Sequence, residues 1–184
     1  MVEAAFGEKR SCDMDQKDLG VERHDAGQDY LAALRALKLE PEALFWAYDK
    51  GIEQFVLVLV TSLFDFAGPL ALTQLLFDAY NAAATPREID PFIIRLHSPK
   101  HKLYRAAQGH VATRFDQADL KGSELDRATI AGDVAPSIIA AFQVGDLESF
   151  GSWVYKSTPR SKAKALDPER RWLRFERAVH AAAA

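Results

Sequence analysis

The sequence predicts a single mixed α/β domain, and three observations carry this prediction. Residues 55–61 form an apolar run rich in Val and Leu, which is typical of a strand covered on both faces. A second strand pattern, residues 92–96, follows a long helical pattern, and this order favours parallel pairing through a right-handed crossover. With 48% hydrophobic and 27% charged residues among 184, the chain can build a core without metals or disulfides.

The N-terminal part of the chain predicts a loose arm and then a short packing helix. Residues 1–27 are polar and mixed in charge, without apolar periodicity, so they could bury little surface to offset the entropy of ordering. From Gln28, Leu31, Leu34 and Leu37 form one helical stripe, and Pro41 limits the helix.

A β-hairpin is predicted next. Residues 44–48 are rich in aromatic side chains, residues 49–51 (Asp-Lys-Gly) supply turn chemistry, and residues 55–61 form the second strand. Because this second strand is apolar without alternation, we expect it to be central in the sheet.

The clearest helical pattern begins at Gly68, a plausible N-cap, with Pro69 at the first helical position, where a missing amide hydrogen costs nothing. Its apolar stripe consists of Leu72, Leu75, Leu76, Ala79, Tyr80 and Ala83. Residues 85–86 (Thr-Pro) end it. The strand at 92–96 would then place Phe92, Ile94 and Leu96 on one face, and Ile93, Arg95 and His97 on the other.

A further helix is predicted after Ser98, which would cap it, with Pro99 in the first turn. Its stripe consists of Leu103, Ala107, Val111 and Phe115. Residues 116–133 are polar and acidic and predict a loop or a short helix. Residues 138–144 and 153–155 suggest two late strands, joined through Gly145, Asp146 and Gly151, although the first segment could equally be helical.

The C-terminal region combines positive charge with an amphipathic helix. Residues 156–177 hold eight basic and three acidic side chains, a local charge of +5. Asp167 and Pro168 predict the start of a helix whose stripe, Trp172, Phe175 and Val179, docks on its own domain or on a partner. The predicted organisation is an arm (1–27), an α/β domain (28–155), and a basic linker with a docking helix (156–184).

Polar side chains gather where the two predicted parallel strands end. The carboxyl ends of parallel strands share one edge of a sheet, where open α/β sheets usually bind ligands. The first strand would bring Thr61, Ser62 and Asp65 to this edge, and the second would bring Arg95, His97, Ser98, Lys100 and His101.

Two chemistries suit this edge, beside a purely structural alternative. The free amides at the start of the Ser98 helix, with Arg95 and Lys100, would attract a phosphate or carboxylate group. His97 could act as a general base oriented by Asp65. In the structural alternative Ser98 is only a cap, Arg95 pairs with an acidic neighbour such as Glu88, and the histidines lie on the surface.

The sequence holds no recognised catalytic, cofactor or metal motif. Gly-x-Gly-x-x-Gly, phosphate-loop, Gly-x-Ser-x-Gly and Cys-x-x-Cys patterns are absent. His97 and His101 are four residues apart, but Pro99 interrupts the helix that a metal pair would need. The lone Cys12 excludes an internal disulfide. We therefore expect no cofactor and no metal.

The function predicted best is that of a small soluble binding or protein-interaction domain, with itself as homodimer or another protein as partner. The alternative is a metal-independent hydrolase or transferase for a small molecule bearing phosphate or carboxylate. Nucleic-acid binding by the basic C-terminal segment is a weaker alternative, since the net charge is −3. With no signal-peptide pattern and only ten residues in its longest apolar run, 55–64, the chain is expected in the cytoplasm and not in a membrane.

Overall fold

The computed structural model describes residues 19–111, 141–157 and 167–183. Within these residues, four helices pack on a six-stranded mixed sheet. The helices are α1 (Val21–Ala36), α2 (Leu63–Asn81), α3 (Lys102–Val111) and α4 (Pro168–Ala183). The strands are β1 (Ala43–Asp49), β2 (Gln54–Val60), β3 (Ile94–His97), β4 (Ala141–Val144), β5 (Leu147–Phe150) and β6 (Val154–Ser157).

The sheet confirms the predicted hairpin followed by a parallel crossover. Its order is β3-β2-β1-β5-β4, and β6 pairs with β1 beside β5. Strands β1 and β2 are antiparallel, from Ala43 opposite Val60 to Asp49 opposite Gln54. Strand β3 runs parallel to β2, with His97 opposite Val60. Strand β2 therefore lies inside the sheet, as its continuous apolar run predicts.

The sheet buries both of its faces. Alternate residues of the hairpin, such as Trp46 and Leu57, join a core with α1, α2 and α4. The residues between them, such as Phe45 and Val58, pack against α3 in a second core. Strand periodicity of two explains this division, because successive side chains point to opposite faces.

Helix α1 begins at Val21, seven residues before the start predicted at Gln28. Ala26 and Gly27 are buried in it, and Gly27 lies so close to Tyr155 of β6 that a Cβ atom would overlap the tyrosine ring. Because glycine has no side chain, its close packing adds nothing to an apolar stripe, and the sequence pattern does not reveal it. The rest of the predicted arm, residues 1–18, lies outside the described residues.

Helix α2 consists of two helical pieces that meet at Gly68. Gly68 has φ 82° and ψ 162°, a conformation that is open essentially only to glycine. Pro69 follows as the first residue of the second piece, as predicted. The preceding piece begins at Leu63, which is buried in the core.

Strand β3 is shorter at its start than predicted. The Asp90 carboxylate accepts a hydrogen bond from the Phe92 amide (2.8 Å), and residues Pro91–Ile93 form a 3-10 turn before the strand. The turn leaves Phe92 75% exposed and packs Ile93 against the same core as Ile94, so the alternation predicted from Phe92 holds only from Ile94 onward.

The late segments form strands. Strands β4 and β5 make a hairpin through Gly145 and Asp146, so residues 141–144 are extended and not helical. Strand β5 was not predicted, because its four residues show no apolar run. The remaining predictions for residues 112–140, including Phe115 and the polar loop, lie outside the described residues.

Helix α4 docks on its own domain. Phe175 and Val179 are fully buried in the core shared with α1 and α2, and Trp172 packs against that core. The predicted stripe is thus used within the chain. No helix among the described residues is long and apolar enough to cross a membrane.

Candidate functional site

The structure brings the two predicted strand ends together. The Thr61 amide donates to the His97 carbonyl at 3.1 Å, which continues the parallel ladder of β2 and β3 by one residue. Thr61 is fully buried, and its hydroxyl accepts a hydrogen bond from the Leu63 amide at the start of α2. The polar residues that follow β2 and those at the end of β3 therefore lie at the same edge of the sheet, as their strand positions predict.

Asp65, Ser98 and Lys100 form a closed polar cluster at this edge. The Ser98 hydroxyl donates to the Asp65 carboxylate at 2.8 Å, and the Lys100 ammonium lies 3.2 Å from the same oxygen. The Lys100 amide donates to the Ser98 oxygen. The Asp65 carboxylate thus pairs with Lys100, one of the two cations that were expected to attract an anion.

His97 stacks on His101 instead of bonding to Asp65. The two rings lie 4.6 Å apart at 28°, and the His97 Nε2 atom is buried without a hydrogen-bond partner among the described residues. Burial, aided by His101 and Arg95, lowers the pKa of His97 to about 4. An imidazole with this pKa is uncharged at neutral pH and accepts a proton poorly.

His101, not Ser98, caps α3. Its Nδ1 atom accepts a hydrogen bond from the Leu103 amide at 3.3 Å, the position that an N-cap side chain serves. The helix starts at Lys102, and Pro99 lies in the preceding turn. The Arg95 guanidinium donates to the Phe92 carbonyl at 3.3 Å.

A second polar network, which the sequence did not reveal, surrounds Ser62. The Glu42 carboxylate accepts from the Ser62 amide and hydroxyl, and the Arg171 guanidinium of α4 donates to both Glu42 (2.7 Å) and Ser62 (2.6 Å). Arg171 also donates to the Glu40 carbonyl. Because Arg171 lies 109 positions after Ser62, only the tertiary structure brings them together.

The predicted edge residues are thus adjacent, but most of their polar groups bind one another. The Ser62 and Ser98 hydroxyls, Asp65 and Lys100 are used within the protein, which favours a structural role for this edge. The details of the structural alternative are nevertheless wrong: His101 and not Ser98 caps α3, Arg95 makes no ion pair with Glu88, and His97 is half-buried and not on the surface. Anion binding and proton transfer there stay predictions.

A cleft opens at the other end of the same strands, near the start of β2 and β3. One compartment of about 450 Å³ is lined by Arg23, Trp46, Tyr48, Glu53, Gln54, Phe55, Glu88, Asp90 and Ile93. The adjoining compartment of about 530 Å³ shares four of these and adds Leu19, Gly20, Val21, Glu22 and Ala26. Both volumes lie in the range typical of small-molecule sites, roughly 300–1,000 Å³.

The wall of the cleft contains three aromatic side chains, of which Trp46 and Tyr48 are buried and Phe55 is half-buried. Exposed acidic side chains form its rim. Tyr48 and Phe55 are opposite each other in the β1–β2 ladder, with their rings edge to face at 5.4 Å. Among the described residues that line the cleft, Glu22, Glu53, Glu88 and Asp90 contribute carboxylates and Arg23 contributes a guanidinium.

Arg23 lies on the aromatic wall. Its guanidinium carbon is 5.1 Å from the centre of the Phe55 ring, within cation–π range. Its carbonyl accepts a hydrogen bond from the Trp46 indole at 3.0 Å, which fixes the backbone of α1 over the sheet. Among the described residues no carboxylate lies within ion-pair distance of this guanidinium.

Sequence reasoning missed the cleft because Arg23 and Glu22 fall in the predicted arm. The one local signal was the aromatic content of residues 44–48, where Trp46 and Tyr48 alternate onto one face. Glu88 and Asp90 belong to a loop that no pattern connects with α1.

The basic C-terminal segment is partly engaged within the fold. Lys156 contacts the Glu40 carboxylate, and burial, with Arg35 and Arg171 nearby, lowers its pKa to about 8. Arg160, Lys162 and Lys164 lie outside the described residues. Nucleic-acid binding therefore stays a prediction. In the described part of the chain no three potential ligands group as a metal site would require.

Comparison with known proteins adds no assignment: no family model, no curated protein and no solved structure matches this chain. The class that the described residues define is a mixed α/β domain with a six-stranded sheet and a C-terminal helix that packs on it.

Proposed function

We propose that this protein is a binding domain whose small-molecule ligand occupies the cleft between α1 and the starts of β2 and β3. The observation that carries the proposal is the cleft itself. It is concave, has aromatic walls and gathers polar groups from α1, the hairpin turn and the loop before β3, the combination typical of ligand sites. We place this domain in the cytoplasm, since Cys12 is its only cysteine.

The test blocks the cleft without disturbing the core. Gln54 is exposed and lines the cleft, so Gln54→Trp should fill it; Gln74→Trp, at an exposed position of α2 outside the described cleft, is the matched control. The 184-residue chain is screened by thermal shift against small cationic, anionic and neutral aromatic probes. A ligand at about 100 times its dissociation constant stabilises the fold by roughly 2.7 kcal/mol.

We expect at least one probe class to raise the melting temperature of the native chain and of Gln74→Trp, and to leave Gln54→Trp unchanged. A shift that persists in Gln54→Trp would place the ligand elsewhere and contradict the proposal. The absence of a shift with every probe at 10 mM, a screening level of the order of weak-site affinities, would contradict it as well.

A second candidate function, homodimer formation, is supported by exposed apolar side chains beside the sheet edge. Phe66 and Leu70 of α2 are 48% and 71% exposed, and Phe92 is 75% exposed with its ring against Phe77. Of the described strands only β2 pairs with β3, so the outer edge of β3 can accept another strand.

The charge of this surface favours a second copy of the chain as the occupant. Asp65, Asp78, Glu88 and Asp90 occur together with Arg87, Arg95 and Lys100 in the same elements and loops. Neither sign of charge dominates, which suits a two-fold interface that must be complementary to itself.

Light scattering tests the dimer, and we expect it to give the mass of two chains. Leu70→Glu should reduce this mass to one chain, whereas Ile52→Glu, at another exposed apolar position, should leave it unchanged. A one-chain mass at several hundred micromolar would reject the dimer.

A further inference from the structure

We propose that the cleft is selective for an organic cation, an ammonium, amidinium or guanidinium group on an apolar or aromatic body. This inference rests on the proposed function and names the ligand class of the same site. Its starting observation is the Arg23 guanidinium on the Phe55 ring, since this contact shows that the aromatic wall accommodates a planar cation.

The aromatic wall provides the first element of recognition. Phe55 is held in place on two sides, by edge contacts with Tyr48 at 5.4 Å and with Trp153 at 5.6 Å. A ring fixed in this way presents its face without loss of side-chain freedom on binding, and ring faces attract cations through their quadrupole.

The rim provides the second element. Glu22 comes from α1, Glu53 from the hairpin turn, and Glu88 and Asp90 from the loop before β3. Counted over the described residues of the lining, these four carboxylates and Arg23 give a charge of −3. Among the described residues, no Lys or Arg lies within ion-pair distance of Glu53 or Glu88. A cleft lined by one sign of charge concentrates ions of the opposite sign.

The experiment compares three ligands that share a benzene ring and differ in charge. Benzamidinium, benzamide and benzoate have nearly the same shape and carry charges of +1, 0 and −1. Each is titrated calorimetrically into the 184-residue chain at low ionic strength. We expect benzamidinium to bind at least about ten times more tightly than benzamide, benzoate to bind most weakly, and the difference to shrink as added salt screens the rim.

Substitutions of opposite expected effect sharpen the test. The double variant Glu53→Gln with Glu88→Gln keeps the shape of the rim and should weaken benzamidinium binding about five-fold, with no change for benzamide. Glu169→Gln with Glu176→Gln, on α4, is the matched control and should change neither. Arg23→Gln frees the Phe55 ring of its own guanidinium and should strengthen benzamidinium binding several-fold. Thermal unfolding of each variant checks that it is folded.

The outcomes separate this inference from the proposed function. Equal affinity for benzamide and benzamidinium, abolished by Gln54→Trp, would reject charge selectivity and leave the cleft as a binding site. Tightest binding of benzoate, lost in Arg23→Gln, would show that Arg23 anchors an anion and would also reject the inference. Binding that Gln54→Trp leaves unchanged would reject the cleft itself.

Discussion

At the scale of single residues, the surroundings of His97 decide what its imidazole can do. Its sequence position, at the end of a strand before Ser98, is compatible with a general base. In the fold it is half-buried against His101, its Nε2 atom lacks a hydrogen bond among the described residues, and its pKa falls to about 4. Asp65, the predicted orienting group, binds Ser98 and Lys100 instead.

The shifted pKa of His97 predicts a dependence of stability on pH. The unfolded imidazole has a pKa of about 6.5 and the folded one about 4, so between these values the unfolded state binds more protons. The contribution of His97 is therefore fully present above about pH 6.5 and is lost as the pH falls toward 4. After allowance for partial exposure, we expect the loss from pH 7 to pH 5 to be about 1 kcal/mol.

Urea unfolding of the native chain and of His97→Phe at several pH values measures this contribution. Phenylalanine keeps a planar ring against His101 but does not titrate, so the native chain should lose more stability than the variant between pH 7 and pH 5. Parallel stability curves for the two proteins would contradict the assignment.

Arg171 and its neighbour Arg170 form a natural matched pair. The Arg171 side chain is 18% exposed and binds Glu42, whereas Arg170 is 79% exposed and lies 3.8 Å from Asp167. Arg171→Met leaves the Glu42 carboxylate, whose side chain is 13% exposed, without its cation, and we expect the free energy of unfolding to fall by about 2–3 kcal/mol. Arg170→Met should cost less than about 0.5 kcal/mol. Chemical denaturation measures both, and equal losses would show that the network contributes nothing specific.

At the scale of elements, close packing overrides local preference in α1 and α2. Gly27 is a poor helix former, yet α1 crosses β6 at that residue, where the Tyr155 hydroxyl donates to the His24 carbonyl at 2.7 Å. In α2, Gly68 permits the bend that lets Leu63 and Leu72 enter one core. The glycine–proline pair of α2 was visible in the sequence, whereas the contact of Gly27 was not, because Tyr155 is 128 residues away.

The Gly27 contact predicts that a residue with a higher helix propensity destabilises the protein. Alanine should favour the helix by about 1 kcal/mol, but its methyl group would overlap the Tyr155 ring. We expect Gly27→Ala to lower the free energy of unfolding by about 1–3 kcal/mol, and Tyr155→Leu in the same chain to recover part of the loss. Gln28→Ala, on the exposed side of α1, is the control and should be neutral or stabilising. Stabilisation by Gly27→Ala would show that the helix does not pack there.

At the scale of the whole molecule, the C-terminal helix belongs to the same core as the N-terminal helix. Phe175 and Val179 are fully buried with Leu34 and Leu72. The apolar stripe of α4 is therefore used internally, and the support for self-association comes from α2 and Phe92. Burial on both faces of β2 makes the described elements mutually dependent.

Removal of a buried side chain at the centre of α4 should destabilise the entire fold. Phe175→Ala is expected to cost about 3–5 kcal/mol, and unfolding followed by far-ultraviolet circular dichroism and by tryptophan fluorescence should shift together. Leu173→Ala, at a 38% exposed position of the same helix, should cost less than about 1 kcal/mol. If the fluorescence transition moved alone, α4 would be an appendage and not part of the common core.

The sequence by itself determined the fold class, the hairpin, the parallel pairing of the strands predicted at 55–61 and 92–96, and the amphipathic nature of α4. These features follow from apolar periodicity and from Gly and Pro signals, which act over a few residues. Only the tertiary structure decided that Arg171 binds Glu42 and that Asp65 pairs with Lys100 and not with His97. It also placed the Arg23 guanidinium on the Phe55 ring in an acidic cleft. Each of these contacts joins distant segments, and no local pattern encodes them because their partners are set by how helices pack on the sheet.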